Sequence, residues 1–364
     1  MRIGILTFHY AHNYGAVLQC YALQEYLKSA YSDAEVEVID YRCPAIANGY
    51  KWHRGESLFS KNPLKSIKTS IRLLRNKIRF EAFETFIKTK LNLASVSKIF
   101  DNPYDIIIIG SDQIWNYNLT GGFDNYYWGE FKHPASTRIA SYAASMQDSW
   151  SDNLSLKIST LLGNFNMISV RESTLAKKIQ SLTGRQDIYH VVDPTLLIDS
   201  SKWNALAIKP HIKNPYLLLF QVEGNNPKTE QIAIQIAHIK KLAIVRLSTF
   251  VTRNTPWNLL ATSPQKFIGL FKFADYIVCS SFHGTIFSLQ FNKPFVSVKM
   301  GKGKDNRVGA FLNMIGLQHR FVDRYDTNIE QSDYTPKISE IEHIKELSQH
   351  FISDLIKDEK GLDN

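Results

Sequence analysis

The chain has 364 residues, of which 44% are hydrophobic and 21% charged, and its formal net charge at neutral pH is +9. This length corresponds to about two domains of ordinary size, which excludes a small disulfide-stabilised fold, and the composition is that of a globular chain, not of a disordered one. Three cysteines far apart in the sequence, with no Cys-x-x-Cys pair, predict neither a disulfide framework nor a zinc site. No apolar run approaches the ~18–20 residues of a membrane-spanning helix, so we expect a cytoplasmic protein without a signal peptide.

The first half of the chain alternates short apolar runs with segments of helical periodicity, which is typical of βα units around a parallel sheet. A helix is predicted at Ala16–Lys28. Strands are predicted at Ile3–Leu6, Val36–Ile39, Ile106–Ile109, Ile139–Ala143, Ile168–Val170 and Ile188–Val192. Together these elements predict one open α/β sheet.

A second series of elements follows a break marked by Pro194, Pro210 and Pro215. Strands are predicted at Tyr216–Phe220, Leu242–Arg246, Tyr276–Cys279 and Phe295–Val298, with a helix that begins at Ser263 and Pro264 and another at 286–291. The predicted fold class is α/β, with two Rossmann-like doubly wound domains facing each other across a cleft. In such sheets ligands bind outside the carboxyl ends of the strands.

The positive charge is concentrated between Lys51 and Lys90, where eleven Lys and Arg residues stand against three acidic ones. Apolar residues recur there at intervals of three and four: Leu64, Ile67, Ile71, Leu74 and Ile78. Three interpretations of this basic helical segment remain open. The helix packs on the core with its cations in solvent, it lies on an anionic membrane surface, or it attracts a phosphate-bearing acceptor. No nucleic-acid-binding module accompanies the charge, so we expect no nucleic-acid partner.

One loop suited to an anion is Ser280-Ser281-Phe282-His283-Gly284-Thr285, between a predicted strand and a predicted helix. The backbone N–H groups and dipole of a helix start favour an anionic ligand, and His283 adds a group that titrates near neutrality. The alternative is that Ser281 only caps the helix and His283 is structural.

Two further loops follow predicted strands. Gly110-Ser111-Asp112-Gln113-Ile114-Trp115-Asn116 offers a carboxylate, an amide and an indole, which can hold a sugar by hydrogen bonds and stacking, with Asp112 able to exchange a proton. Alternatively Asp112 caps the next turn. In Ser169-Val170-Arg171-Glu172 the guanidinium can pair with phosphate or carboxylate, or else Arg171 and Glu172 form a surface or interdomain ion pair.

The loop after the first strand contains His9, His12 and Gly15. A dinucleotide site is rejected because one glycine stands where the fingerprint needs three. A metal site on His9 and His12 is rejected because no acidic or cysteine residue accompanies them nearby, and we expect solvated loop histidines.

Six segments, in this order, resemble the polysaccharide pyruvyltransferase family, whose enzymes move the enolpyruvyl unit of phosphoenolpyruvate onto a sugar as a ketal. They are Asn13–Gln19, Gly110–Asn116, Ser141–Ser145, Ser169–Glu172, Val192–Thr195 and Ser281–Thr285. The resemblance implies a GT-B-like fold. It also implies that the α/β domain at residues 1–200, with its basic helical insertion at about 51–90, is the acceptor side, and that the α/β domain at 201–330 binds the donor. The apolar period from Ile338 to Leu355 predicts a C-terminal amphipathic helix at 331–364.

The resemblance further implies roles for individual residues, with no metal and no cofactor beyond phosphoenolpyruvate as co-substrate. His283 is the expected acid or leaving-group partner, and Asp112 the expected base for the acceptor hydroxyl. The expected ligands of phosphoenolpyruvate are Arg171, Ser281, His283, Gly284, Arg246 and Arg307. The expected acceptor-binding residues are His12, Asn13, Tyr14, Gly15, Ser111, Gln113, Trp115 and Asn116.

The acceptor that the resemblance implies is a hexose, galactose-like or N-acetylmannosamine-like, with a free pair of hydroxyls. We expect it to be a surface or capsular polysaccharide precursor carried on a polyprenyl diphosphate, which would place the protein at the inner face of the cell membrane. Two other functions remain open: a GT-B glycosyltransferase that uses a nucleotide sugar, and a noncatalytic phosphosugar-binding protein.

Overall fold

The computed structural model describes residues 1–51, 63–146, 150–222, 226–247, 257–258, 262–301, 305–327, 336 and 338–357. The chain forms two compact units, each assembled from separate stretches of sequence. The first comprises Met1–Tyr50, Glu84–Ile198 and Glu342–Asn364, and the second Lys51–Phe83 and Asp199–Ile341. The division at Ile198 lies close to the one expected at residue 200, while the C-terminal segment joins the first unit from Glu342. The assignment of acceptor and donor to particular domains stays a prediction.

The first unit is built on a sheet of seven parallel strands in the order β3-β2-β1-β4-β5-β6-β7. The strands are β1 (Arg2–Leu6), β2 (Glu35–Ile39), β3 (Leu93–Ala94), β4 (Ile106–Gly110), β5 (Arg138–Ala144), β6 (Met167–Val170) and β7 (Ile188–His190). Strand β4 is buried along its whole length. A continuous apolar run such as this one is what a parallel strand covered on both faces requires.

In the described part of the chain, seven α-helices lie in the six connections between the strands of this sheet. The first, α1, is capped by Asn13, whose side chain accepts a hydrogen bond from the Gly15 N–H at 2.9 Å. The bounds of these helices are α1 (Tyr14–Ala30), α2 (Pro44–Gly49), α3 (Pro63–Lys90), α4 (Lys98–Asp101), α5 (Tyr117–Thr120), α6 (Ser155–Leu162) and α7 (Ser173–Thr183). The basic segment predicted at about 51–90 thus forms helix α3, and its residues 52–62 lie outside the described part of the chain.

The second unit is built on another parallel sheet, in the order β10-β9-β8-β11-β12-β13. Its strands are β8 (Tyr216–Phe220), β9 (Ala243–Leu247), β10 (Trp257–Asn258), β11 (Tyr276–Cys279), β12 (Phe295–Val298) and β13 (Phe321–Val322). Its helices are α8 (Ser200–Leu206), α9 (Pro227–Lys240), α10 (Pro264–Lys272), α11 (Phe282–Gln290) and α12 (Asn306–Met314), and α13 (Ile338–Lys357) follows.

The predicted fold class, α/β with two doubly wound parallel sheets, is confirmed. Helix α10 begins as predicted, because Ser263 Oγ accepts from the Lys266 N–H at 3.2 Å and Pro264 follows the cap. Each unit has its own hydrophobic core. Among the described residues, no helix has both the length and the apolar character needed to cross a membrane.

Candidate active site

Polar side chains converge where four neighbouring strands of the first unit end. The carboxyl ends of β4, β5, β6 and β7 meet at one edge of the parallel sheet, and a polar residue follows each strand within three positions. We call these residues the strand-end cluster: Asp112, Ser145, Arg171, Glu172 and Asp193.

Arg171 lies at the centre of the strand-end cluster, with its side chain 2% exposed. Its Nη1 donates to Asp193 Oδ2 at 2.6 Å and its Nη2 to Ser145 Oγ at 3.0 Å. Its Nε lies 3.4 Å from Glu172 Oε1, and its Nη2 lies 3.7 Å from Asp112 Oδ1. Burial works against the charged guanidinium, but the three carboxylates outweigh it and raise the pKa of Arg171 above its ordinary value.

These contacts bear on the role expected of Arg171. Its ion pair with Glu172 is present, but it is part-buried and lies within the first unit, so the alternative of a surface or interdomain pair was wrong about its place. An anionic donor would have to compete with three carboxylates for this guanidinium. Binding of phosphoenolpyruvate by Arg171 therefore stays a prediction, and the observed contacts give the side chain a positioning role toward Asp112 and Glu172.

Glu172 keeps one oxygen available in this arrangement. Its Oε1 accepts from Ser145 Oγ at 2.6 Å, whereas its Oε2 is buried and has no hydrogen-bond partner among the described residues. A buried carboxylate oxygen without a donor is costly and therefore favours a ligand that donates.

The loop after β4 holds Asp112 in a left-handed backbone conformation, with φ at +51°. Asn116 caps α5 by accepting from the Asn118 N–H at 3.1 Å, and the cap considered for Asp112 on the preceding turn stays a prediction. The Ser111 hydroxyl is buried without a partner among the described residues.

Trp115 is 1% exposed and packs against Trp128, with ring centroids 5.3 Å apart. Its ring offers no exposed face for stacking on a sugar, so its predicted acceptor role rests on its place in this loop alone. Gln113 accepts from Asn116 Nδ2 at 2.6 Å, which holds the two predicted acceptor ligands together.

The histidines of the first loop are buried, and the expectation that they are solvated was wrong. His9 lies 3.0 Å from Asp40 Oδ1 through Nε2 and 3.2 Å from the Thr7 carbonyl through Nδ1. His12 Nε2 lies 3.3 Å from Glu84 Oε1. Both acidic partners are distant in sequence, which is why inspection of the nearby residues missed them. The bond from His12 lowers the pKa of Glu84 despite its burial.

The other three predicted acceptor residues of that loop lie at the start of α1. Asn13 is its N-cap, and Tyr14 and Gly15 form its first turn and are buried. Among the described residues, no group of three or more His, Cys, Asp or Glu side chains is arranged to hold a metal ion.

In the second unit, helix α11 begins at Phe282, and the prediction of a start at Ile286 was wrong. Ser281 Oγ accepts from the Gly284 N–H at 3.1 Å, so the capping interpretation of Ser281 is confirmed and the predicted loop is the first turn of the helix. A Cβ on Gly284 would lie 2.9 Å from the Cys279 Cβ, so a glycine lets the helix start approach the strand. His283 is partly buried in this turn, beside the ring of Phe282.

The two other cations expected to bind the donor are also in the second unit. Arg246 is fully buried in β9, and its Nη2 lies 2.6 Å from Glu230 Oε1 in the first turn of α9. Arg307 lies in α12 and is partly buried. Their predicted contacts with phosphoenolpyruvate stay predictions.

Sequence reasoning missed three members of the strand-end cluster as site residues: Ser145, Glu172 and Asp193. The available signal was their position, because each directly follows a strand of the same sheet or lies within three residues of its end. No single segment of the sequence indicates the strand order that brings those ends together.

Two doubly wound parallel sheets with polar residues at their strand ends define the GT-B-like class of α/β fold. A family model described as polysaccharide pyruvyl transferase matches residues 13–300, about four fifths of the chain. The chain belongs to this family, and the resemblance drawn from the sequence is confirmed. It is a pyruvyltransferase of polysaccharide biosynthesis.

Solved structures with the same fold are distant in sequence. A candidate UDP-N-acetylglucosamine 2-epimerase from Listeria monocytogenes aligns with a TM-score of 0.53 and 7% identity, covering 100% of this chain and 97% of its own. Another UDP-N-acetylglucosamine 2-epimerase aligns with a TM-score of 0.52 and 8% identity, with the same coverage. No curated protein matches the chain. At these identities the similarity shows the fold alone.

Proposed function

We propose that this chain transfers the enolpyruvyl unit of phosphoenolpyruvate onto two hydroxyls of one hexose and so forms a cyclic pyruvate ketal. Family membership supplies the class of reaction. The observation that carries the proposal is the pair of carboxylates, Asp112 and Glu172, held at a single buried guanidinium. Ketal formation uses two hydroxyls, and each must lose a proton.

The bonds and protons balance as follows. The methylene carbon of the donor gains a proton and becomes a methyl group, and the neighbouring carbon accepts the first sugar oxygen. The bond from that carbon to the phosphate oxygen breaks, and the second sugar oxygen takes its place. The two sugar hydroxyls lose two protons in total. One proton is gained by the new methyl group, and the other is gained by the inorganic phosphate that leaves.

In this mechanism Asp112 and Glu172 accept the two hydroxyl protons. Arg171 lies beside both carboxylates and orients them toward the acceptor, which general base catalysis requires. The buried Glu172 Oε2, which lacks a donor among the described residues, suits a sugar hydroxyl. Ser111 presents a second polar atom of this kind in the loop that carries Asp112.

The donor carries a carboxylate and a phosphate, which favour cations and helix N-termini. We assign it to the start of α11, where Ser281 and Gly284 shape the turn, and to Arg246 and Arg307 as cations. His283 in the same turn is the acid for the methylene carbon or for the departing phosphate. The chemistry requires no metal.

The acceptor in this proposal is a hexose of a surface or capsular polysaccharide precursor, galactose-like or N-acetylmannosamine-like and carried on a polyprenyl diphosphate. The remaining predicted acceptor ligands, His12 to Gly15 together with Gln113 and Asn116, belong to it, whereas the buried Trp115 is left out. A lipid-linked acceptor would place the enzyme at the inner face of the cell membrane.

An assay of both possible donors tests the proposal. The purified chain is incubated with phosphoenolpyruvate and a panel of lipid-linked or nitrophenyl hexosides, and released phosphate is measured. Acceptor-dependent phosphate release is the expected result. Release of nucleotide from a sugar nucleotide instead would identify a glycosyltransferase, and saturable binding of phosphoenolpyruvate without turnover on any acceptor would identify a binding protein.

A further inference from the structure

Helix α3 exposes a row of large apolar side chains. Ile71, Leu74 and Ile78 are 47%, 59% and 46% exposed, whereas Leu73 on another face of the helix is 6% exposed. Positions separated by three, four and seven residues lie on one side of a helix. The prediction that the apolar row packs on the core is therefore wrong at these three positions, while the side chains of Leu64 and Ile67 lie outside the described part of the chain. The helix itself does pack, through other residues such as Leu73 and Phe83, which are buried.

Positive charge flanks the exposed row. Arg72, Arg75 and Lys77 are exposed beside it, and the sequence from residue 57 to residue 80 contains no acidic residue. The first acidic residue after it is Glu81, whose carboxylate lies 3.7 Å from Lys77 Nζ. We call the surface formed by Ile71, Leu74, Ile78, Arg72 and Arg75 the basic apolar face.

We propose that the basic apolar face docks on an anionic lipid bilayer, with α3 lying in the plane of the membrane surface. Half-exposed aliphatic side chains gain free energy by entering the boundary between headgroups and acyl chains. Arg72 and Arg75 meet the negative potential of the anionic leaflet. The aliphatic side chains and the arginines of the face therefore both suit an anionic bilayer. The inference does not depend on the chemistry proposed above.

Two other occupants fit the charge and apolar pattern less well. In a symmetric pair of chains this face would meet its own copy and bring Arg72 and Arg75 against the same cations. A nucleic acid would contact the cations through its phosphates and leave the central aliphatic row without a partner. The lipid surface is the occupant that uses both features.

Cosedimentation with vesicles tests the proposal on the full chain. Phosphatidylcholine vesicles are compared with vesicles that also contain phosphatidylglycerol, at low and high salt. The wild-type chain is expected to bind the anionic vesicles and to lose affinity as salt rises. The variant Ile71→Ser/Leu74→Ser/Ile78→Ser is expected to bind at least about tenfold more weakly, and so is Arg72→Gln/Arg75→Gln.

A matched control is Leu156→Ser, which changes an 82% exposed leucine on α6 and is expected to bind like the wild type. Insertion is measured separately with Leu74→Trp, whose fluorescence should shift to the blue on anionic vesicles, while Leu156→Trp should not shift. The Leu74→Trp readout does not depend on whether the triple variant folds.

Three outcomes would overturn the proposal. Equal binding to neutral and anionic vesicles, or none to either, removes the lipid surface as partner. Loss of binding in the arginine variant alone, with no shift for Leu74→Trp, indicates a site for polyanions without insertion. A wild-type dimer in light scattering that the triple serine variant converts to monomer, without vesicle binding, assigns the face to a second copy.

Discussion

At the scale of single residues, Arg171 connects stability with the proposed chemistry. Its guanidinium is buried, and it donates to Asp193, whose side chain is fully buried and also accepts from the Thr195 N–H and hydroxyl. Removing the cation would leave that carboxylate charged and without its ion-pair partner in a medium that solvates charge poorly.

We therefore expect Arg171→Leu to lower the free energy of unfolding by about 3–5 kcal/mol, measured by urea denaturation. The double variant Arg171→Leu/Asp193→Asn should recover part of this loss, because the uncompensated charge is removed. A single variant as stable as the wild type would show that Arg171 does not anchor the strand-end cluster.

Substitution of Glu172 distinguishes a catalytic from a structural role for the strand-end cluster. Glu172→Gln keeps the size of the side chain but removes the base, so we expect kcat to fall by about 100-fold or more with little change in KM. Glu172→Asp should restore part of the rate, because it keeps a carboxylate at this place. The exposed Glu130→Gln serves as control, and a wild-type rate in Glu172→Gln would remove Glu172 from the mechanism.

At the scale of elements, ion pairs join loops to helices, and the sequence alone does not indicate which residues pair. Glu84 on α3 accepts a bond from His12 in the loop after β1, and Arg42 Nη1 lies 3.7 Å from the same carboxylate oxygen. These contacts tie α3 to the ends of two strands, and they join residues that are far apart in the chain.

Glu84→Gln is expected to lower the free energy of unfolding by about 1 kcal/mol near neutral pH. The bond from His12 places the folded-state pKa of Glu84 below its ordinary value, so this contribution is present above that ordinary value and is lost as pH falls through the folded-state pKa. The difference between variant and wild type, measured by urea denaturation across pH, should therefore shrink below about pH 4. A constant difference at all pH values would contradict this account.

Some strands could be predicted from the sequence and others could not. Strands β8, β11 and β12 have the predicted bounds, because each is a short, mainly apolar run that follows turn residues. Strands β3, β10 and β13 have two residues each, too few to show a period, and were not predicted. The early start of α11 was missed because Phe282 and His283 resemble loop residues until the cap at Ser281 is known.

At the scale of the whole molecule, the family and the fold could be predicted because six spaced motifs and the βα alternation carry them. The contacts of the strand-end cluster could not, since they depend on strand order and on side chains from four separate loops. The exposure of Ile71, Leu74 and Ile78 was equally hidden, because an apolar helical period does not say which side of a helix faces the core.

The central claim is tested most directly by the mass of the product formed from phosphoenolpyruvate and a hexose acceptor in normal and in heavy water. We predict an acceptor heavier by one pyruvylidene unit, with one deuterium in its methyl group when the solvent is deuterated, and no product from His283→Ala. An acceptor of unchanged mass, or one that gains a sugar from a nucleotide donor, would contradict the account.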